Sequence, residues 1–286
     1  MIIAVASGKG GTGKTTVAVN LASVATPRPV QLLDCDVEEP NAHLFLGGQP
    51  IEKKEVSVMI PSVDEGKCSG CEECSNFCQF KALVVIGKTV LVFPELCHSC
   101  GGCRLVCPEQ AITEVPRPIG VVETLQVRDD LTLIYGTLSI GVAMAPPLIR
   151  EVKALASREV PLTIIDCPPG TSCPVVESVK GVDVILLVTE PTPFGLHDLT
   201  LAVDTIRTLG IPFGVVINKA GLNYSPLYDY LEKEKIPVLG EIPEDAAVAK
   251  AYAKGELPVY SVPGYRAKIE EIFRNLKALV NGLEKM

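Results

Sequence analysis

Eight cysteines in two runs of identical spacing restrict the middle of this 286-residue chain more than any other feature. Cys68, Cys71, Cys74 and Cys78 form C-x2-C-x2-C-x3-C, and Cys97, Cys100, Cys103 and Cys107 repeat the pattern 29 positions later. Eleven cysteines in a secreted chain would point to disulfides, whereas tight spacing in a reducing compartment points to metal. The start MIIAVASGKGG lacks the basic segment and cleavage site of a signal peptide, and no apolar stretch reaches the roughly 20 residues of a membrane helix. A cytoplasmic location without membrane insertion is therefore expected. Three cysteines at successive spacings of three wrap a cubane cluster corner by corner, a geometry that a tetrahedral zinc site rarely uses.

A second pattern opens the chain. Met1 to Ala6 is a short apolar run leading into Gly8-Lys9-Gly10-Gly11-Thr12-Gly13-Lys14-Thr15, and Lys14 to Ala25 then reads as a helix. This is the G-x4-G-K-T phosphate loop in the strand, loop and helix setting it requires. Its glycines let successive backbone N–H groups turn toward phosphates, and the helix N-terminus adds partial positive charge. Lys14 is expected to reach the β and γ phosphates and Thr15 to bind Mg2+, with Thr16 ending the nucleotide-binding stretch.

Downstream, Val30 to Leu33 reads as a buried strand ending at Asp34 and Asp36. Apolar runs at Leu162 to Ile165, Val184 to Thr189, Pro212 to Ile217 and Pro237 to Ile242 alternate with helical segments. Such alternation predicts an α/β fold whose mostly parallel sheet is covered by helices on both faces. Ile119 to Val127 and Leu131 to Leu138 look like paired strands, followed by a helix near Pro147 to Ser157. In the last segment Ile269, Ile272, Phe273, Leu276, Leu279, Val280 and Leu283 share one helical face. That segment reads as a closing helix on the sheet, because Glu270 and Glu271 dilute the basic charge of a membrane-surface helix.

Between the two halves, from about Ser62 to Pro118, helical periodicity disappears. The expected organisation is a nucleotide-binding domain in two parts, 1–61 and 119–286, split by an insert at 62–118. Strand-like Leu83 to Ile86 and Thr89 to Phe93 fit a small hairpin within the insert. The doubled run resembles that of bacterial ferredoxins, where the fourth cysteine of each run ligates the other cluster. The resemblance implies a small α+β ferredoxin module with two [4Fe-4S] clusters, one on Cys68, Cys71, Cys74 and Cys107, the other on Cys97, Cys100, Cys103 and Cys78. Gln79 departs from the motif, which keeps proline after the second run as Pro108. His98 is expected to be exposed and Cys35 to pack as a small buried hydrophobe.

KGGTGKTT, with Lys9 after its first glycine, resembles the deviant Walker A loop of the MinD, ParA and nitrogenase iron protein superfamily. LLDCDVEEPN, TIIDCPPGTSCP and VTEPTPFGLHDL extend the resemblance over most of the chain. It implies a P-loop ATPase that binds ATP or ADP with Mg2+, forms a homodimer with ATP, and uses Lys9 across the dimer interface. Asp36 then orients the attacking water, Asp166 belongs to Walker B and the second switch, and Asn218 with Lys219 lies at the base; Asp34 reads as structural. Cys173 follows Asp166 by seven positions, but the second cysteine needed by a subunit-bridging cluster is not evident. Cys167 and Cys173 are accordingly expected to be buried or unreactive thiols.

The match as a whole resembles MinD-superfamily ATPases with an inserted ferredoxin domain, which implies slow ATP hydrolysis coupled to electron transfer with a partner protein. Two other functions draw on the same residues: an iron-sulfur cluster assembly or carrier ATPase, and a MinD- or ParA-like spatial organiser with structural clusters. No cysteine follows Cys173, which counts against the C-terminal cluster-bridging pair of carriers. A net charge of -8 argues against nucleic acid as a partner.

Overall fold

The structure, a computed structural model, describes residues 1–221 and 224–283. The chain begins with β1 (Ile2–Ala6), α1 (Lys14–Val24), β2 (Val30–Asp34) and α2 (Ala42–Leu46). A long strand, β3 (Gln49–Val63), leads into the cysteine segment. That segment holds α3 (Glu73–Phe77), the hairpin β4 (Leu83–Ile86) and β5 (Thr89–Val92), a 3-10 turn at Pro94–Leu96, and α4 (Gly102–Leu105). The chain returns through β6 (Ile112–Arg128) and β7 (Leu131–Leu138), then α5 (Pro146–Ala154), β8 (Leu162–Asp166), α6 (Cys173–Val179) and β9 (Val184–Thr189). It closes with α7 (Pro193–Leu209), β10 (Phe213–Ala220), α8 (Ser225–Lys233), β11 (Val238–Pro243), α9 (Ala246–Ala253), α10 (Pro258–Ser261) and α11 (Tyr265–Leu283).

Nine strands form one sheet in the order β11-β10-β9-β1-β8-β2-β7-β6-β3. From β11 to β7 every neighbouring pair is parallel. Strands β2, β8 and β9 are buried along their whole length, which is why they read as unbroken apolar runs. One core, carrying Val17 and Leu21 of α1 and Ile269, Ile272 and Leu276 of α11, covers one face. The other core takes Leu148, Ile149 and Val152 of α5, Val203 of α7 and Leu227 of α8. Helix α11 is thus a closing helix on the sheet, as its periodicity predicts; the side chain of Leu283 lies outside the described positions. No helix among the described residues is long and apolar enough to cross a membrane.

The antiparallel edge differs from the sequence expectation. Strand β6 pairs with β7 from Gly120 opposite Leu138 to Arg128 opposite Leu131, yet it begins at Ile112 and not at Ile119. Its first part pairs only with β3, through seven pairs from Ser57–Pro118 to Val63–Ile112. Pro116 and Pro118 hid this part from a periodicity reading, because proline is tolerated only at edges and bulges. A bulge marks the point of departure from the sheet: Val56 opposes Gly120 and Ser57 opposes Pro118, leaving Ile119 without a partner on β3. The same two strands are paired on both sides of positions 62 and 118, with the bulge at Ile119. At its far end a third, smaller core gathers Cys74, Ala82, Leu83, Cys97, Cys103 and Ile112, and Ile60 on β3 packs against both this core and that of the sheet.

Replacing the wholly buried Leu276 by alanine is expected to cost about 3 kcal/mol through lost burial and the cavity left under α11. The measurement is the urea midpoint at unchanged slope; a change below about 0.5 kcal/mol would remove α11 from the folding core.

Candidate functional site

The phosphate loop lies at the carboxyl edge of the parallel sheet, between β1 and α1. Gly13 caps α1 in the left-handed conformation at φ 89°, and a Cβ there would run into Asn218 Nδ2. Asn218 Nδ2 donates to the carbonyl of Thr12 at 2.7 Å, and Lys219 Nζ donates to the carbonyl of Gly11 at 3.0 Å. Two loop carbonyls are thereby turned toward the end of β10. Both residues, expected at the base of the nucleotide, line the same cleft of about 980 Å3 as Lys9–Thr16, with Asp36 and Pro243–Ala246 also on its wall.

In-register pairing of β2 with β8 sets Asp34 opposite Asp166, concentrating carboxylates where the strands end. Lys14 Nζ lies 3.2 Å from Asp166 Oδ1 and 3.8 Å from Asp36 Oδ2, with 7% of the side chain exposed. Burial lowers the affinity of Lys14 for its proton, but Asp166 and Asp36 together outweigh burial and hold the ammonium above its ordinary value. For Asp36, burial is the larger effect and pushes the carboxyl up to about 6, against the opposing pull of Lys14. Burial, then Asp166, raises Asp34 as well. Asp34 is structural in its contacts: one oxygen accepts from the backbone N–H of Asp36, the other from those of Asn41 and Ala42 at the start of α2. Asp166 Oδ2 and Thr12 Oγ1 are buried without a hydrogen-bond partner. An unpaired carboxylate oxygen beside Lys14 and Thr15 suits a hydrated divalent cation of a bound nucleotide.

Lys9 is occupied. Its ammonium pairs with Glu190 Oε1, while Glu190 Oε2 accepts from Lys219 Nζ at 3.0 Å. Burial pushes the Glu190 carboxyl up, yet the hydrogen bonds from Lys9 and Lys219 prevail and hold it below its ordinary value. Sequence reasoning missed Glu190, since one glutamate after a buried strand carries no spacing that marks it. The only signal was its place in VTEPTPFGLHDL.

The eight paired-run cysteines line two separate cavities. Cys68, Cys71, Cys74 and Cys107 ring one; Cys78, Cys97, Cys100 and Cys103 ring the other. Each cavity takes three cysteines from one run and the fourth from the other. The 29-residue repeat is also written in the backbone: left-handed φ values recur at Gly70 and Ser99, Glu72 and Gly101, and Lys81 and Gln110. So do N–H to sulfur hydrogen bonds, from Ala82 to Cys78 Sγ at 3.3 Å and from Ala111 to Cys107 Sγ at 3.4 Å. Gln79 in place of proline leaves this local geometry intact. Four cysteines on the wall of each cavity are residues that could hold a [4Fe-4S] cluster. Burial raises the thiols of Cys74, Cys97 and Cys103, the last to about 11.

His98 is exposed and stacks on Phe80 with ring centroids 3.6 Å apart, at the mouth of the second cavity. Cys35 and Cys167 are fully buried; burial pushes Cys167 up to about 12 and makes it an unreactive thiol. Cys173 is exposed at the start of α6.

Comparison with known proteins agrees with the nucleotide-binding fold and phosphate loop. The chain is 32% identical over 259 residues to an uncharacterised protein of Methanocaldococcus jannaschii, covering 90% of each. It is 26% identical to a protein of Pyrococcus abyssi named iron-sulfur cluster carrier protein, covering 99% of this chain and 87% of that one. In fold it is similar to the cell division ATPase MinD of Pyrococcus furiosus, with a TM-score of 0.57 at 20% identity over 97% of this chain and 98% of the other. The septum site-determining protein MinD of Pyrococcus horikoshii, solved with Mg-ADP, gives a TM-score of 0.57 at 19% identity, covering 99% and 96%. Residues 3–259 match the family model described as the CobQ/CobB/MinD/ParA nucleotide binding domain, and the chain belongs to that family.

Proposed function

We propose that the chain is a Mg-dependent ATPase in which nucleotide state gates electron transfer through two [4Fe-4S] clusters to a partner protein. The observation that carries this reading is covalent and short. From Asp36 the chain passes through α2 and Gly47-Gly48 directly into β3, whose other end holds the cysteine module. A second line of contacts starts at the other switch. Helix α6 follows the Asp166 loop, Lys153 of α5 donates to the carbonyls of Glu177, Ser178 and Lys180, and Glu151 of α5 pairs with Lys54 of β3 at 2.7 Å. Coupling of this kind requires an element with two arrangements that nucleotide biases, and both lines lead to β3, one along the chain itself and one through α6 and α5.

At the nucleotide, Lys14 would leave its carboxylates for the β and γ phosphates, and Thr15 would meet the cation. Asp36 would orient the attacking water, and Lys9 would supply further positive charge, in the dimer across the interface. Positioning and charge neutralisation account for most phosphoryl-transfer catalysis. In the module, clusters held by Cys68, Cys71, Cys74 and Cys107 and by Cys97, Cys100, Cys103 and Cys78 would supply one-electron storage. The protein's part is to enclose them, the second in the cavity whose wall Phe77, Phe80 and His98 share with its four cysteines.

A cluster-carrier function is the second reading, favoured by the name of the Pyrococcus abyssi relative. Release of a cluster held by both runs requires sulfurs in two parts of one small core to let go together, which favours retention. ATP-dependent delivery of a cluster to an apo acceptor would reverse that preference.

Redox titration by electron paramagnetic resonance, with and without Mg-ATP, tests the gating. A coupling of about 1–3 kcal/mol corresponds to a shift of roughly 40–130 mV in midpoint potential, and identical potentials and electron-transfer rates would end the proposal. For ligand exchange, Cys78→Ser is expected to lose the same cluster as Cys97→Ser, and Cys107→Ser the same as Cys71→Ser, each leaving about four of about eight irons. Spectra that group Cys78 with Cys71 would refute the crossed assignment. The raised pKa of Asp36 sets the pH profile: the carboxylate is formed above about pH 6 and the acid below it. The kcat/KM for ATP is thus expected to level off above about pH 6 and to fall about tenfold per unit below it, measured by phosphate release; a flat profile from pH 5 to 8 would exclude an ionised Asp36 from the reaction.

A further inference from the structure

Glu190 follows β9 on a backbone that the turn into α7 holds firmly. Its carbonyl accepts from Thr192 N at 2.8 Å, and Thr189 Oγ1 donates to the carbonyl of Gly195 at 3.0 Å across the same turn. Its side chain is 13% exposed and lies behind the rim of the nucleotide cleft, where Lys9 and Lys219 stand on the wall. One carboxylate therefore serves two ammonium groups from separate segments, the phosphate loop and the end of β10. Lys219 is committed further: its backbone is left-handed at φ 53° and its ammonium also holds the carbonyl of Gly11. A carboxylate forking to two ammoniums beside a phosphate loop has the shape and charge of a resident anion.

We infer that Glu190 is a positioning residue that stands in for phosphate, keeping Lys9 and Lys219 at the cleft rim and competing with bound polyphosphate for them. The competition sets an order among ligands. An ammonium moves to a phosphate only when the phosphate outbids Glu190, so the ligand with the most charge loses the most to the carboxylate and gains the most from its removal. Neutralising Glu190 without changing its shape leaves both lysines ready for the ligand. The inference rests on nucleotide binding alone and not on the cluster reading, so loss of redox gating would leave it standing.

The test is equilibrium binding of Mg-ATP and Mg-ADP to the full chain by titration calorimetry. Glu190→Gln is expected to tighten Mg-ATP about tenfold, the size expected for charge-assisted hydrogen bonds released, and Mg-ADP by less. In a background of Lys9→Met and Lys219→Met the gain should vanish, because no ammonium remains to be freed. Glu190→Asp, one methylene shorter and unable to span both lysines, should give a smaller tightening and provides the measurement if the glutamine variant does not fold. Equal or weaker ATP binding in either variant, or the same gain without the lysines, would overturn the inference; a residue that merely supports the turn would weaken both nucleotides alike.

Discussion

Fourteen residue pairs, from Gln49 opposite Gln126 to Val63 opposite Ile112, bind two chemically different parts into one body. Strands in ordinary domains average about five or six residues, so a ladder of this length is a structural member in its own right. Its lower half is an edge of the nucleotide-binding sheet, stiffened by β7 on one side. Its upper half stands clear of that sheet and ends in the cysteine core. Without this pairing the cysteine segment would be a tethered loop, and loops report little of what happens at their anchors. With it, the cysteine segment is held to the nucleotide-binding sheet by a two-stranded ladder.

Direction matters as much as length. Gly120 opposes Leu138 at the carboxyl end of β7, which runs parallel to β2, so the free part of β6 extends past the sheet edge that also carries Lys14, Asp36 and Asp166. The module consequently rises from the nucleotide side of the molecule, where a parallel sheet places its ligands in any case. The same edge concentrates like charges, and each is managed by a specific neighbour. Asp34 is spent on backbone N–H groups of the first switch, Asp36 and Asp166 share Lys14, and Glu190 holds Lys9 and Lys219. Lys9, Lys14 and Lys219, the lysines on the cleft wall among the described residues, are each already engaged, so a phosphate that recruits one of them exchanges partners with a carboxylate.

The sequence disclosed those parts whose physics is local. Buried parallel strands such as Val184–Thr189 are apolar throughout, and a phosphate loop needs its glycines and lysine at fixed offsets, so both could be read directly. The closing helix was legible because one face of a helix must be apolar to be buried. What stayed hidden is non-local. Residues 49–63 carry prolines and the run Glu52-Lys53-Lys54-Glu55, charges suited to an exposed edge strand, and only the partner strand explains why they are extended. Glu190 was invisible for the same reason, as its meaning lies in two lysines, one 181 positions away and the other 29.

The repeat in the module shows where symmetry ends and function begins. The same left-handed turns occur in both halves with residue types exchanged, Gly70 against Ser99 and Glu72 against Gly101, so the path of the chain around each cavity does not depend on glycine at either turn. The surroundings then diverge. Around the first cavity the non-cysteine lining includes Glu72 and Glu109 and no aromatic ring; around the second it includes Glu114 together with Phe77, Phe80 and His98, with Phe77 and Phe80 substantially exposed. Under the proposed reading, clusters held in such unlike surroundings would differ in potential and access, because burial, nearby charge and hydrogen bonds to sulfur set both. In the proposed electron transfer a duplicated cradle with unequal walls would set a direction, and the β3–β6 ladder ties both cavities to the edge of the nucleotide-binding sheet.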